Sequence, residues 1–211
     1  MKSHEFASLL CSRLCHDLLS PVGALNNGIE LLADEHDPEM RARCLDLLGE
    51  SARASANKLK FFRLAFGAAG GFGDEVDTRE ARAAIEGLFG GDGRIALGWM
   101  VEEPVMSKAA LKVLLNIVLI AGDALVRGGR LDVGAEKHEG GLDIVVRAEG
   151  SRIVLDPELR SVLVGETGED EVAPRAAAAW LVHCLVAEGC GQGQVMDNEE
   201  GMLLIGASLP A

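Results

Sequence analysis

No apolar run in these 211 residues is long enough to cross a bilayer. The longest, Val113 to Ala121 and interrupted by Asn116, falls far short of the roughly 20 residues that a spanning helix needs. The opening Met1-Lys2-Ser3-His4-Glu5 leads into no uninterrupted apolar segment and no small-residue cleavage site. No export signal is therefore expected, and the cytoplasm is the expected compartment. Basic charge is also short: 20 Lys plus Arg stand against 33 Asp plus Glu, a net charge of −13. With no local basic patch to offset it, nucleic acid and membrane surfaces are not expected partners. The five cysteines are odd in number and read as reduced thiols rather than a disulfide framework. Cys11, Cys15, His16 and Cys44 lack the second closely spaced pair that zinc sites favour, so no metal is expected. A repeat of solenoid length is absent as well.

What is present suits a packed chain, with 48% hydrophobic and 25% charged residues. The first third predicts two amphipathic helices separated by a break at Ala33-Asp34-Glu35-His36-Asp37-Pro38. From Phe6 to Leu32 the apolar residues follow a heptad: Cys11, Leu18, Leu25 and Leu32 at one position, Leu14, Pro21 and Gly28 at the other, with Val22 and Ile29 widening the stripe. The second helix, about Pro38 to Phe66, repeats the pattern through Met40, Cys44, Leu47, Leu48, Ala52, Ser55, Leu59, Phe62 and Phe66. A lone hairpin leaves much of this stripe uncovered, so two chains are expected to pair as a four-helix bundle, a homodimer.

Beyond the hairpin the glycine-rich Gly67-Ala68-Ala69-Gly70-Gly71-Phe72-Gly73 reads as a linker. The rest alternates. Helices are expected at Thr78 to Phe89, Ser107 to Val126 and Pro174 to Ala187. Strands are expected at Arg94 to Val101, Arg130 to Ala135 and Leu142 to Ala148, with a final hairpin of Gly193 to Asp197 and Met202 to Ser208 turning at Asn198-Glu199-Glu200-Gly201. This gives an α + α/β chain: a helical hairpin over residues 1–67, a linker over 68–76, and over 77–211 a mixed sheet packed on one layer of helices, an α/β sandwich.

In the heptad frame His16 falls opposite the seam and should face solvent. Its neighbours form the run His16-Asp17-Leu18-Leu19-Ser20-Pro21. A proline inside a helix costs about 3 kcal/mol, so something must retain Pro21. A neutral imidazole has one nitrogen free to attack, and a carboxylate on the other fixes the tautomer, a role that suits Asp17. Were a phosphoryl group taken up, its charge would need a cation, and Arg13 lies three residues back on the same face. Ser12, Leu19, Ser20, Gly23 and Asn27 flank His16 at helical spacing, and with Leu19 apolar yet outward they read as a docking surface.

His16-Asp17-x-x-Ser20-Pro21 on the first helix of an amphipathic hairpin resembles the H-box of sensor histidine kinases, whose helices form a dimeric bundle and whose outward histidine is phosphorylated. The longer stretch Leu10 to Gly28, together with Ala124-Leu125-Val126-Arg127-Gly128-Gly129, is closer to the ChpT family of histidine phosphotransferases from alphaproteobacteria. In kinases the second domain binds ATP. Here only Asn116 matches the two-asparagine box that holds magnesium, its partner position being Ile120. The turn Ala148-Glu149-Gly150-Ser151-Arg152 lacks the adenine-binding aspartate, and Pro174-Arg175-Ala176-Ala177-Ala178-Ala179 replaces the second glycine box. Gly189-Cys190-Gly191-Gln192-Gly193 leaves a helix for a strand, the wrong context for a phosphate loop. The resemblance thus implies a sheet domain that has lost its nucleotide, with no ATP and no cofactor bound by this chain. It further implies that His16 accepts a phosphoryl group from the receiver aspartate of a CckA-like hybrid kinase and passes it to CtrA-like and CpdR-like regulators. Magnesium would come from the receiver. By the same resemblance to the kinase H-box, Ser20 falls at the position of a water-orienting residue. The alternatives are a non-catalytic dimeric binder of response regulators and an ATP-dependent histidine kinase.

Overall fold

The computed structural model describes residues 1–67, 74–91, 93–168, 172–198 and 201–210. Helix α1 (Ser3–Asp34) opens with Glu5 accepting from the Lys2 N–H at 2.8 Å and runs without interruption through Pro21. Helix α2 (Pro38–Ala65) starts where Asp37 accepts from the N–H groups of Glu39 and Met40, both at 2.9 Å, with Pro38 at the first helical position. Arg41 reaches back to the carbonyls of Leu32 and Glu35 at 3.0 and 2.7 Å and so closes the end of α1. The seam follows the heptad. Leu14, Leu18, Pro21, Leu25, Gly28 and Leu32 are half-buried against a face of α2 that includes Cys44, Leu48 and Phe62. At Gly28 a Cβ would stand 2.8 Å from Leu48 Cδ2, so the small residue lets the helices meet closely.

One heptad assignment is corrected: Cys11 is exposed. α2 ends at Ala65, and Met1, together with Phe6 and Leu9 from the N-terminal part of α1, packs on the core of the sheet domain instead. That core is shared. Phe61, Phe62, Leu64 and Ala65 from the last turns of α2 belong to one apolar cluster with Val76, Ile85, Leu111 and the inner face of the sheet. The expected linker and the expected turn fall largely on 68–73 and 199–200, which lie outside the described residues.

The sheet domain contains β1 (Glu75–Asp77), α3 (Thr78–Phe89), β2 (Ile95–Val101), β3 (Val105–Ser107), α4 (Lys108–Ala124), β4 (Gly129–His138), β5 (Gly141–Glu149), α5 (Pro157–Leu163), α6 (Ala177–Glu188), β6 (Gln192–Asn198) and β7 (Met202–Pro210). The main sheet has the order β2-β4-β5-β7-β6, with β2 and β4 parallel and every other pair antiparallel. Side-chain alternation fixes its register. Ile144, Val146 and Ala148 of β5 point to the helices, as do Leu203, Ile205 and Ala207 of β7, while Val145, Arg147 and Glu149 face outward. Helix α4 packs on β4, β5 and β7 and is buried along almost its whole length, capped by Ser107, whose Oγ accepts from the Ala110 N–H at 3.2 Å.

The structure adds three elements to the expected set. β1 and β3 form a two-stranded antiparallel pair, and α5 follows an Asp156 cap and Pro157. Pro174–Ala176 is a 3-10 turn that leads into α6 rather than part of the helix itself. With proline at its start and no side-chain cap, the segment tightens before it becomes α-helical.

Candidate functional site

On α1 successive residues turn by about 100°, so neighbours His16 and Asp17 face different surroundings. The His16 side chain is 85% exposed, whereas that of Asp17 is only 16% exposed. Asp17 Oδ1 nevertheless reaches His16 Nδ1 at 3.1 Å, and its Oδ2 accepts from Arg13 Nε at 2.6 Å. An ionised carboxylate can only accept. The imidazole proton therefore belongs on Nδ1, and the Nε2 lone pair is left to the outside.

Arg13 does not stand free beside the histidine. Besides Asp17 it donates to Asp123 Oδ2 of α4 at 2.8 Å and to the Arg175 carbonyl at 3.2 Å. Burial by itself would lower the guanidinium pKa, but Asp17 and Asp123 outweigh it and raise the value further. Asp123 behaves differently. Although half its side-chain surface is open, desolvation at the junction of α1 and α4 pushes its carboxyl up, against the pull of Arg13 and Lys58 and with the repulsion of Asp17. Behind Asp17, Lys58 of α2 donates its Nζ to the Asp17 carbonyl at 2.8 Å.

The structure thus brings together His16, Asp17 and Arg13. Ser20 lies one helical turn beyond, exposed. Ser12, Leu19 and Asn27 are exposed as well, Leu19 by 70%, and a Cβ added at Gly23 would meet nothing within 4 Å. This open face has room for a second protein to approach Nε2. Lys58 and Asp123 escaped the sequence reading, though each carried a signal. Pro21 denies the carbonyl four residues earlier its main-chain donor, which calls for a donor from elsewhere. An acid in the last turn of α4 opposes the helix dipole unless a cation answers it.

The positions compared with kinase nucleotide boxes are occupied in other ways. Asn116 is fully buried and donates its Nδ2 to the carbonyls of Ala65 and Lys112 at 3.0 and 2.8 Å, tying α4 to the end of α2. Its Oδ1 has no partner among the described residues. Ile120 is 3% exposed. Gly150 donates its N–H to the Gly201 carbonyl at 3.0 Å, and Gly189 to Gly191 carry the chain from α6 to β6, with Cys190 at a φ of 55°.

A family model described as the histidine phosphotransferase C-terminal domain matches residues 78–201. The protein phosphotransferase ChpT of Brucella abortus (strain 2308) is 33% identical over 187 residues, spanning 89% of this chain and 87% of that protein. A solved structure of a bacterial phosphotransferase superposes with a TM-score of 0.85 at 28% identity, covering 98% of this chain and 97% of the other.

Proposed function

Since the chain belongs to the ChpT-type histidine phosphotransferases, we propose that it acts as a phosphorelay intermediate whose acceptor is His16 Nε2. The observation that carries the reading is the outward imidazole with Nδ1 held by Asp17 at 3.1 Å. On this reading a receiver domain of a CckA-like hybrid kinase docks over Ser12, Leu19, Gly23 and Asn27. Nε2 then attacks the phosphorus of its aspartyl phosphate. The Nε2–P bond forms as the P–O bond breaks, the electron pair leaves with the receiver carboxylate, and the Nδ1 proton stays in contact with Asp17. Transfer to CtrA-like and CpdR-like regulators is the reverse step at another aspartate. Such transfers pass through loose transition states, in which positioning and charge placement supply most of the catalysis.

Arg13 tunes this chemistry by holding Asp17, and the added negative charge of a phosphoryl group competes with the two carboxylates for its guanidinium. Magnesium comes from the receiver's acidic pocket. No autokinase activity is expected, because Asn116 is committed to the Ala65 carbonyl and Ile120 offers no ligand. The hairpins of two chains pair into a four-helix bundle, which would cover Val22, Ile29, Met40, Leu45, Leu47 and Leu59, all at least 43% exposed in the single chain.

The test incubates the full chain and His16→Ala with a radiolabelled phospho-receiver and magnesium, beside a lane with labelled ATP alone. Label should pass from receiver to the unaltered chain, not to His16→Ala, and none should come from ATP. Label from ATP would make the protein a kinase. Receiver binding without label in either lane would make it a non-catalytic partner.

A further inference from the structure

Pro21 lies inside α1 and has no N–H, so the carbonyl of Asp17 loses the main-chain donor that every other interior carbonyl of an α-helix enjoys. An orphaned, half-buried carbonyl costs about 1–3 kcal/mol unless something answers it. Here the answer comes from the other helix: Lys58 Nζ donates to that oxygen at 2.8 Å. The residue so held is also the one whose carboxylate touches His16 Nδ1 and Arg13 Nε.

We propose that Lys58 is a positioning residue for phosphoryl transfer: it fills the acceptor freed by Pro21, fixes the main chain of Asp17, and through the Asp17 carboxylate holds His16 in the tautomer that exposes Nε2. The assignment rests on the reading of His16 as acceptor, but its first readout does not. An ordinary N–H at position 21 would satisfy the same carbonyl from within α1. Satisfying it from α2 instead couples the histidine's tautomer to the register of the two helices. The ammonium also brings a second cation toward the pair of acids, Asp17 and Asp123, that Arg13 already bridges.

The test uses the full chain in four forms: unaltered, Lys58→Met, Pro21→Ala, and both together, with Lys58→Arg as the conservative variant. Two quantities are read. One is the imidazole 15N shifts of His16, assigned by their loss in His16→Ala, which report the share of Nδ1-protonated tautomer. The other is the rate of His16 phosphorylation by phosphoramidate, a small donor that needs no docking surface. Lys58→Met should shift the tautomer toward the mixture of a free imidazole and slow phosphorylation about tenfold, the worth of one lost charge-assisted hydrogen bond. Lys58→Arg should recover most of both. In the Pro21→Ala background, where the alanine N–H supplies the missing donor, Lys58→Met should alter the rate less than about twofold.

An unchanged tautomer in Lys58→Met, or a loss as large with Pro21→Ala as without it, would overturn the proposal. Should Lys58→Met fail to fold alone, folding and a restored tautomer in the double variant supports it, and failure in both backgrounds overturns it. If the tautomer follows Lys58 as described while the unaltered chain takes no phosphoryl group, it is the phosphotransfer reading that falls and the positioning that stands.

Discussion

Phe61→Ala removes a side chain that is 0% exposed and meets Phe62 edge-on at 6.1 Å, in the last turns of α2 where the hairpin enters the core of the sheet domain. Emptying such a site costs about 3–5 kcal/mol. Unfolding entropy near 60 °C is about 2.1 cal/mol/K per residue, which for 211 residues is about 0.44 kcal/mol/K. The melting temperature should fall by about 7–11 °C. The informative signal is tryptophan fluorescence. Both tryptophans, Trp99 and Trp180, lie in β2 and α6, and the hairpin has none. Followed at fixed protein concentration, the tryptophan transition should move with the calorimetric one, in a single peak, because the altered residue and its reporters share one core. A calorimetric trace split in two, or tryptophan melting at its original temperature while the helical signal drops, would refute that reasoning and make the hairpin an independently folding unit.

Two further outcomes are expected. The carboxyl of Asp123 is held above its ordinary value, first by desolvation, so the unfolded chain gives up that proton at lower pH than the folded one. This contribution to stability is therefore full below the ordinary aspartate range and is lost as pH rises through the folded value. Asp123→Asn abolishes it, and the melting temperature of the unaltered chain should fall relative to the variant across that window. A pH-independent difference would show that the shift is absent. The chain should also sediment at twice its own mass, and Ile29→Asp combined with Leu47→Asp, which charges two exposed apolar positions of the hairpin, should return it to the monomer. Sedimentation of the unaltered chain as a monomer would exclude the four-helix bundle.

The hairpin was readable because its signals are local and repeated: a heptad of leucines, an Asp-Pro start to α2, and a glycine where the helices touch. Thr78 to Phe89 was readable for the same reason, and its expected ends coincide with those of α3. β1 and β3 were not, since three residues carry no periodicity and their pairing depends on a partner about 30 positions away. α5, seven residues long, is shorter than the window in which a helical stripe can be recognised, although Asp156-Pro157 marks its start. Within the candidate site the outward direction of His16 and its contact with Asp17 follow from α1 alone. The partners of Arg13 do not. Asp123 and the Arg175 carbonyl reach it across 110 and 162 residues of sequence, and only the packing of α1 against the sheet domain brings them there. Lys58 occupies an intermediate case: Pro21 announces a vacancy, but which side chain fills it depends on the register of α2.

Two cations near His16, Arg13 and Lys58, are already engaged. Arg13 is shared between Asp17 and Asp123, and Lys58 is engaged with a backbone oxygen, so two positive and two negative side chains leave the neighbourhood electrically even before any phosphoryl group arrives. A pocket with idle cations would grip a phosphohistidine and turn it into an end point. An even one would leave much of the added charge uncompensated, so that a phosphoryl group on His16, were it taken up as proposed, would sit at a high transfer potential and depart as readily as it came. On the proposed reading of His16 as a relay acceptor that both receives and surrenders the same group, the restraint on Arg13 and Lys58 would keep the histidine a waypoint.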